Sequence, residues 1–250
     1  MIIILRWFLR KLLVKRLRVV QTGRGTIYCM ANFFLEQLRD CDGVLFDFNG
    51  TLSDDEPVLE AAYETALQNV GLDGLRSSEY ESLVGLSDPD IARRLLAARS
   101  SDEFDALIGH LSEAYSAAVA ERPTITRESA RFVAALIDDG KRVAVVTGTF
   151  RALMQSGLAQ AGLAAVGERS VAIEDVSHGK PDPEGFLLGS ANIGVPTDRI
   201  IGFEDSRAGV EALTRAGIRA VGIGPHLVEA DGLIARFPTM DDAARAYLGR

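Results

Sequence analysis

Histidine, lysine and cysteine are all scarce in this chain of 250 residues, with three, four and two copies. His110, His178 and His226 are scattered, which argues against a histidine-rich zinc centre. Cys29 and Cys41 make neither a disulfide framework nor a CxxC metal pattern, so a reducing, cytoplasmic setting is expected. No apolar run approaches the ~18 residues that a membrane-spanning helix needs. Internal repeats and low-complexity tracts are lacking too. Positive charge is short everywhere but at the start. Residues 1–29 hold seven bases (Arg6, Arg10, Lys11, Lys15, Arg16, Arg18, Arg24) and no acid. Taking those seven from the chain's 27 leaves 20 bases against 35 acids over 30–250, a net of −15. So acidic a body repels nucleic acid and anionic membranes at long range. No nucleic-acid partner and no stable membrane insertion are expected. Oligomeric state is not legible.

The basic segment differs in composition from the rest of the chain. Leu5, Phe8, Leu9, Leu12 and Leu13 share a helical face, with most of the bases opposite. A membrane-surface helix or a transit-like presequence would look like this. The break in composition favours an upstream extension over 1–29, with the natural start at Met30.

What the chain does have is organised around residues 43–57. Gly43 to Phe48 reads as a buried strand, apolar on both faces up to Asp47, and it ends in a turn at Asn49-Gly50. An acid at the C-terminal end of a parallel strand sits where open α/β sheets bind ligands. From these residues alone, Asp47 is a nucleophile, a metal ligand or merely a turn acid. After Pro57 the spacing turns helical to about residue 122, over 57–70, 78–84, 88–99 and 101–121. No strand signal interrupts it, so this stretch reads as an insert. Alternation then returns: helix 126–138, strand Arg142–Thr147, helix 150–161, a strand at 170–173, helix 183–192, strand Ile200–Glu204, helix 206–216, strand 219–223 and helix 240–248. The expected fold class is α/β: a doubly wound, Rossmann-like parallel sheet with an inserted all-helical cap. The core is expected over 30–57 and 123–250, and the cap over 58–122.

Four polar signals end a strand or open a helix: Asp47, Thr147, Lys180 and Glu204-Asp205. From Asp47 to Asp205 they lie 100, 33 and 25 residues apart. A doubly wound sheet brings such positions to one edge. Together they make a kit for moving a phosphoryl group. Two carboxylates with backbone oxygen and water suit Mg2+. A lysine and a hydroxyl can hold phosphate oxygens. Each also has a plainer reading: Thr147 as a helix-capping hydroxyl, Lys180 as a loop lysine, Glu204-Asp205 as a helix N-cap.

With these motifs the sequence resembles the haloacid dehalogenase (HAD) superfamily, in its phosphatase and beta-phosphoglucomutase-like branch with a helical cap after the first motif. The carriers are D-x-N-G-T-L-S-D-D-E-P, G-K-P-D-P-E-G-F and G-F-E-D-S-x-x-G-V-E-A-L-T-R-A-G-I, and the resemblance runs from residue 43 to about 224. It implies Asp47 as a nucleophile that becomes an aspartyl phosphate. Thr147, Gly148 and Lys180 would bind phosphate. Mg2+ would sit among Asp47, the Asn49 backbone carbonyl, Asp205 and Glu204, the last as ligand or neighbour. The activity this implies is that of a Mg2+-dependent phosphatase of small phosphorylated metabolites. Asn49 departs from the pattern, which has a second Asp there as general acid and base, so slow hydrolysis is expected. A sugar phosphomutase is disfavoured, because its cap His and Arg would fall near Leu59 and Asp88. The phosphonate-cleaving branch needs a cap lysine, and residues 51–130 contain none. A catalytically weak phosphometabolite-binding protein is the remaining alternative. Candidate cap cations are Arg76, Arg93, Arg94, Arg99 and Arg122.

Overall fold

The computed structural model describes residues 33–75, 77–96, 101–225, 227 and 232–249. The extension over 1–29 therefore lies outside the described residues, as do Arg76 and Arg99. A helical stretch at 33–40 (α1) leads into β1 (Gly43–Phe46), all four of whose residues are buried. β1 sits inside a five-stranded sheet with β2 (Arg142–Val145), β3 (Ile200–Glu204), β4 (Arg219–Ile223) and β5 (Leu233–Phe237). The order is β2-β1-β3-β4-β5 and every pairing is parallel.

Side chains alternate between the two faces of a strand, and the core divides accordingly. Val44, Phe46, Val145, Ile201 and Phe203 pack on one face with Phe34 and Leu38 of α1. Helices α6 (Arg127–Asp138), α7 (Arg151–Gln160) and α11 (Met240–Leu248) complete that layer through Phe132, Met154 and Tyr247. Leu45, Ala144 and Ala220 face the other way, onto Phe186 of α9 (Glu184–Ile193) and Leu213 of α10 (Arg207–Arg215). A short helix α8 (Ala164–Gly167) comes after α7.

Between β1 and α6 the described chain is helical: α2 (Glu56–Asn69), α3 (Ser77–Glu81), α4 (Asp88–Leu96) and α5 (Ser101–Glu121). These helices bury an apolar cluster of their own, including Tyr63, Leu107 and Tyr115. Phe150 and Leu153, at the start of α7, also belong to it. No described helix is long and apolar enough to cross a membrane.

Two elements depart from the sequence reading. Residues 170–173 are not a strand. A single bridge joins Val146 to Val171, and a 3-10 turn comes next at Ile173–Asp175. Asp175 accepts the Ala172 N–H at 2.8 Å and also holds Arg151, which draws the chain out of extended form. β5 was not anticipated. It is an edge strand in which only Ala235 is fully buried, so it lacks the continuous apolar run of the inner strands.

Candidate active site

The C-terminal ends of β2, β1 and β3 lie side by side, and the polar residues gather there. Asp47 comes directly after β1, and its N–H donates to the Phe203 carbonyl at 2.9 Å, which extends the ladder by one step. Its carboxylate is buried. Lys180, in the loop before α9, donates from Nζ to Asp47 Oδ1 and, at 2.7 Å, to Glu204 Oε1. The same ammonium lies 5.1 Å from the centre of the Phe186 ring. Lys180 is thus a partly buried bridge between two acids and not a free loop lysine. Burial alone would lower its pKa, but the Asp47 and Glu204 carboxylates outweigh that and hold it raised.

Glu204, the last residue of β3, is almost wholly buried. Oε2 accepts from Ser206 N at 2.8 Å and from Ser206 Oγ at 3.0 Å. The α10 N-cap is Ser206, which accepts the Gly209 N–H at 3.0 Å. A Cβ at position 209 would overlap the Glu204 carboxylate, so glycine lets α10 start this close to the acid. Asp205 accepts from Thr51 Oγ1 at 3.2 Å. Gly50 (φ 74°) brings its backbone against Asp205, and a Cβ there would meet the carboxylate.

Asp47, Glu204 and Asp205 each bring an oxygen within 4.8 Å of the others. Burial is the main cause that raises the pKa of Asp205, with repulsion from Asp47 and Glu204 adding to it. Burial also raises that of Asp47, against the opposing pull of Lys180. Three close, hard oxygen donors whose mutual repulsion a cation would relieve fit a divalent ion such as Mg2+.

Asn49 faces a different set of groups. Nδ2 donates to Asp55 Oδ2 at 2.9 Å, and Oδ1 accepts from Thr147 Oγ1 at 3.4 Å. Asp55 is fully buried, also accepts from Tyr115, and its Oδ1 finds no hydrogen-bond partner among the described residues. Burial pushes its carboxyl up to about 7. Thr147 Oγ1 accepts the Thr149 N–H at 3.1 Å, which folds 147–149 into a tight turn. Gly148 lies at its centre. A small opening beside the lysine is lined by Thr147, Gly148, His178, Lys180 and Phe186. Leu59 is buried in the cap core, and Arg93 is drawn to Asp90 at 3.1 Å.

The site therefore collects Asp47, Thr147, Lys180, Glu204 and Asp205, with Asn49 at its rim. Thr51, Asp55, Asp88 and Thr149 join it unannounced. Thr51 and Asp55 were legible only as parts of the first motif. Asp88 and Thr149 carried no signal, because what unites them is contact across 61 residues of chain.

The profile of the haloacid dehalogenase-like hydrolases matches residues 41–217. The chain belongs to this family. Among characterised relatives, the fructose-1-phosphate phosphatase YqaB of Escherichia coli is 29% identical over 183 residues, which is 72% of this chain and 95% of that protein. Protein CbbY of Rhodobacter capsulatus is 30% identical over 218 residues, 80% of this chain and 94% of that one. Solved structures agree on the fold. CbbY from Rhodobacter sphaeroides, in complex with phosphate, superposes with a TM-score of 0.70 at 22% identity, over 81% of this chain and 96% of that one. A beta-phosphoglucomutase from Clostridium difficile does so with a TM-score of 0.68 at 18% identity, over 84% and 100%. The hydrolase thus keeps the family's parallel sheet and helical insert.

Proposed function

We propose that this hydrolase cleaves small phosphate monoesters, phosphorylated sugars or sugar alcohols foremost, through an aspartyl phosphate formed on Asp47. The observation that carries this reading is the single ammonium of Lys180, bound to both Asp47 and Glu204 where the strands end. The substrate class is supported by relatives named as a fructose-1-phosphate phosphatase and a hexitol phosphatase.

In this reading an oxygen of Asp47 attacks phosphorus, the ester P–O bond breaks, and the leaving oxygen departs with the bonding pair. Lys180, Thr147 and the backbone at Gly148 hold the phosphoryl oxygens as charge builds on them. Mg2+ would be held by Asp47, Asp205 and the Asn49 carbonyl. Glu204, with both oxygens engaged by Lys180 and Ser206, would stand beside it. When bound, the ion adds positive charge at the phosphoryl oxygens. The Asn49 amide is too weakly acidic to protonate the leaving oxygen, which takes its proton from solvent. Water then cleaves the acyl phosphate and returns the Asp47 carboxylate and inorganic phosphate. The helices over 58–122 act as the cap, and the segments 30–57 and 123–250 as the catalytic core.

Turnover of an aryl phosphate with Mg2+, and again after EDTA, tests this. Metal-dependent release of phosphate is expected, faster for aryl than for alkyl esters because no general acid assists departure. Phosphate binding without release would replace the hydrolase by a binding protein. Interconversion of sugar phosphates without net release would make it a mutase, against which Leu59 and Asp88 stand. A panel of phosphorylated metabolites then ranks the substrates.

A further inference from the structure

Asp88 opens α4 in the helical insert, yet one oxygen of its side chain is spent on the core. Oδ2 accepts from the Thr149 hydroxyl and, at 3.1 Å, from the Phe150 N–H. Oδ1 accepts from Tyr63 of α2 at 2.9 Å. The Asp88 N–H donates to the Gly148 carbonyl at 3.1 Å, and Ser87 lies directly over Gly148. Phe150, the N-cap of α7, makes no side-chain cap of its own, and Asp88 takes the Phe150 N–H from another part of the chain.

The consequence falls on the Thr147–Thr149 turn. Bonds from Asp88 fix the Gly148 carbonyl and the Thr149 hydroxyl. The Thr149 N–H is aimed at Thr147 Oγ1. Both ends of the 148–149 peptide are therefore set, one by the insert and one by Thr147. A carboxylate that is only 3% exposed and bridges two packed units is a costly way to make contact. An apolar residue would keep the backbone bond to Gly148 and bury more simply, but would not orient the Thr149 hydroxyl and the Phe150 N–H.

We propose that Asp88 is a positioning residue for phosphate binding: it ties the helical insert to the Thr147–Thr149 turn, so that the turn keeps its binding shape only while the insert is seated on it. The inference rests on the reading of that turn as the phosphate-binding turn. Cap seating and phosphate affinity are then one coupled quantity.

The test uses the full chain with Mg2+, an aryl phosphate as substrate and inorganic phosphate as ligand. The variants are Asp88→Ala, Asp88→Asn, Thr149→Val and the Asp88→Ala/Thr149→Val pair, each melted to show that it is folded at assay temperature. In Asp88→Ala, KM and the Kd of inorganic phosphate should rise about tenfold, the scale of one hydrogen bond to a charged group, with kcat moving less. Asp88→Asn keeps an acceptor for Thr149 and Phe150 and should stay within about threefold of the native chain. The double variant should be no worse than Asp88→Ala alone, because both changes break one link. A folded Asp88→Ala with unchanged KM and phosphate affinity would overturn the proposal, as would additive losses in the double variant. If Asp88→Ala does not fold, Thr149→Val alone must show the loss, and its absence would be decisive. A native chain that neither binds phosphate nor turns over would instead sink the phosphatase reading itself.

Discussion

Asn49 and Asp55 share one amide and one acid, and the acid stands on the residue farther from the nucleophile in sequence. The hydrogen bond between them can form whichever residue carries the carboxylate, with donor and acceptor exchanged. Exchanging them, Asn49→Asp with Asp55→Asn, keeps that bond and moves the acid to two residues from Asp47. Turnover of an alkyl phosphate should then rise by at least about tenfold, the low side of general acid–base catalysis. Asn49→Asp alone brings two carboxylates together, which must share a proton, so its gain should come with a lower melting temperature. Unchanged turnover in the exchanged pair would mean that the missing acid does not limit the reaction. Asp205 offers a second test. Asp205→Asn removes one of three crowded acids, so Mg2+ affinity should fall while the metal-free chain melts higher near pH 8. Each ~1 kcal/mol of relieved repulsion raises the melting temperature by about 2–4 °C in a chain of this size. A lower melting temperature, with Mg2+ affinity intact, would contradict the site assignment.

At the scale of elements, the site depends on how closely α10 approaches β3. Position 209 is the hinge of that approach, since any Cβ there displaces Glu204. Gly209→Ala should therefore act through Glu204. Glu204 swings off Lys180, the ammonium loses one of its two anchors, and catalysis falls by about tenfold or more. Overpacking should cost about 1–3 kcal/mol of stability as well. A variant that matches the native chain in both chemical denaturation and assay would show that Glu204 has room the structure denies it. The elements also show where sequence reading reaches its limit. β1 and β3 were legible because strands buried on both faces are continuous apolar runs. β5 was missed because a half-exposed edge strand is not. The false strand at 170–173 has the right composition, but Asp175 and Arg151 bend it into a turn.

For the whole molecule, pH is the lever that reaches all these groups at once. Burial raises the pKa of Asp88 to about 6 and of Asp55 to about 7, against an ordinary value of 3.8 for each. Asp47 and Asp205 are raised as well. The folded chain thus holds more protons than the unfolded one between the ordinary carboxylate range and about pH 7, and stability falls as pH rises through that window. Without metal, the protein should melt higher near pH 5 than near pH 8, and Mg2+ should recover part of the loss at the higher pH by stabilising the ionised acids. A melting temperature that rises steadily over the same range would refute the raised carboxylates.

The sequence by itself determined four of the sheet's five strands, the helical insert and the four strand-end signals, because periodicity, turns and motif spacing are local properties of the chain. It also determined that Asn49 carries no acid. Only the tertiary structure decided that Asp55 stands behind that amide, that Lys180 joins two carboxylates, and that Asp88 reaches from the insert to the Thr147–Thr149 turn. These are contacts between residues far apart in the chain. Their strength comes from burial and from the geometry of packed elements, neither of which leaves a spacing to read.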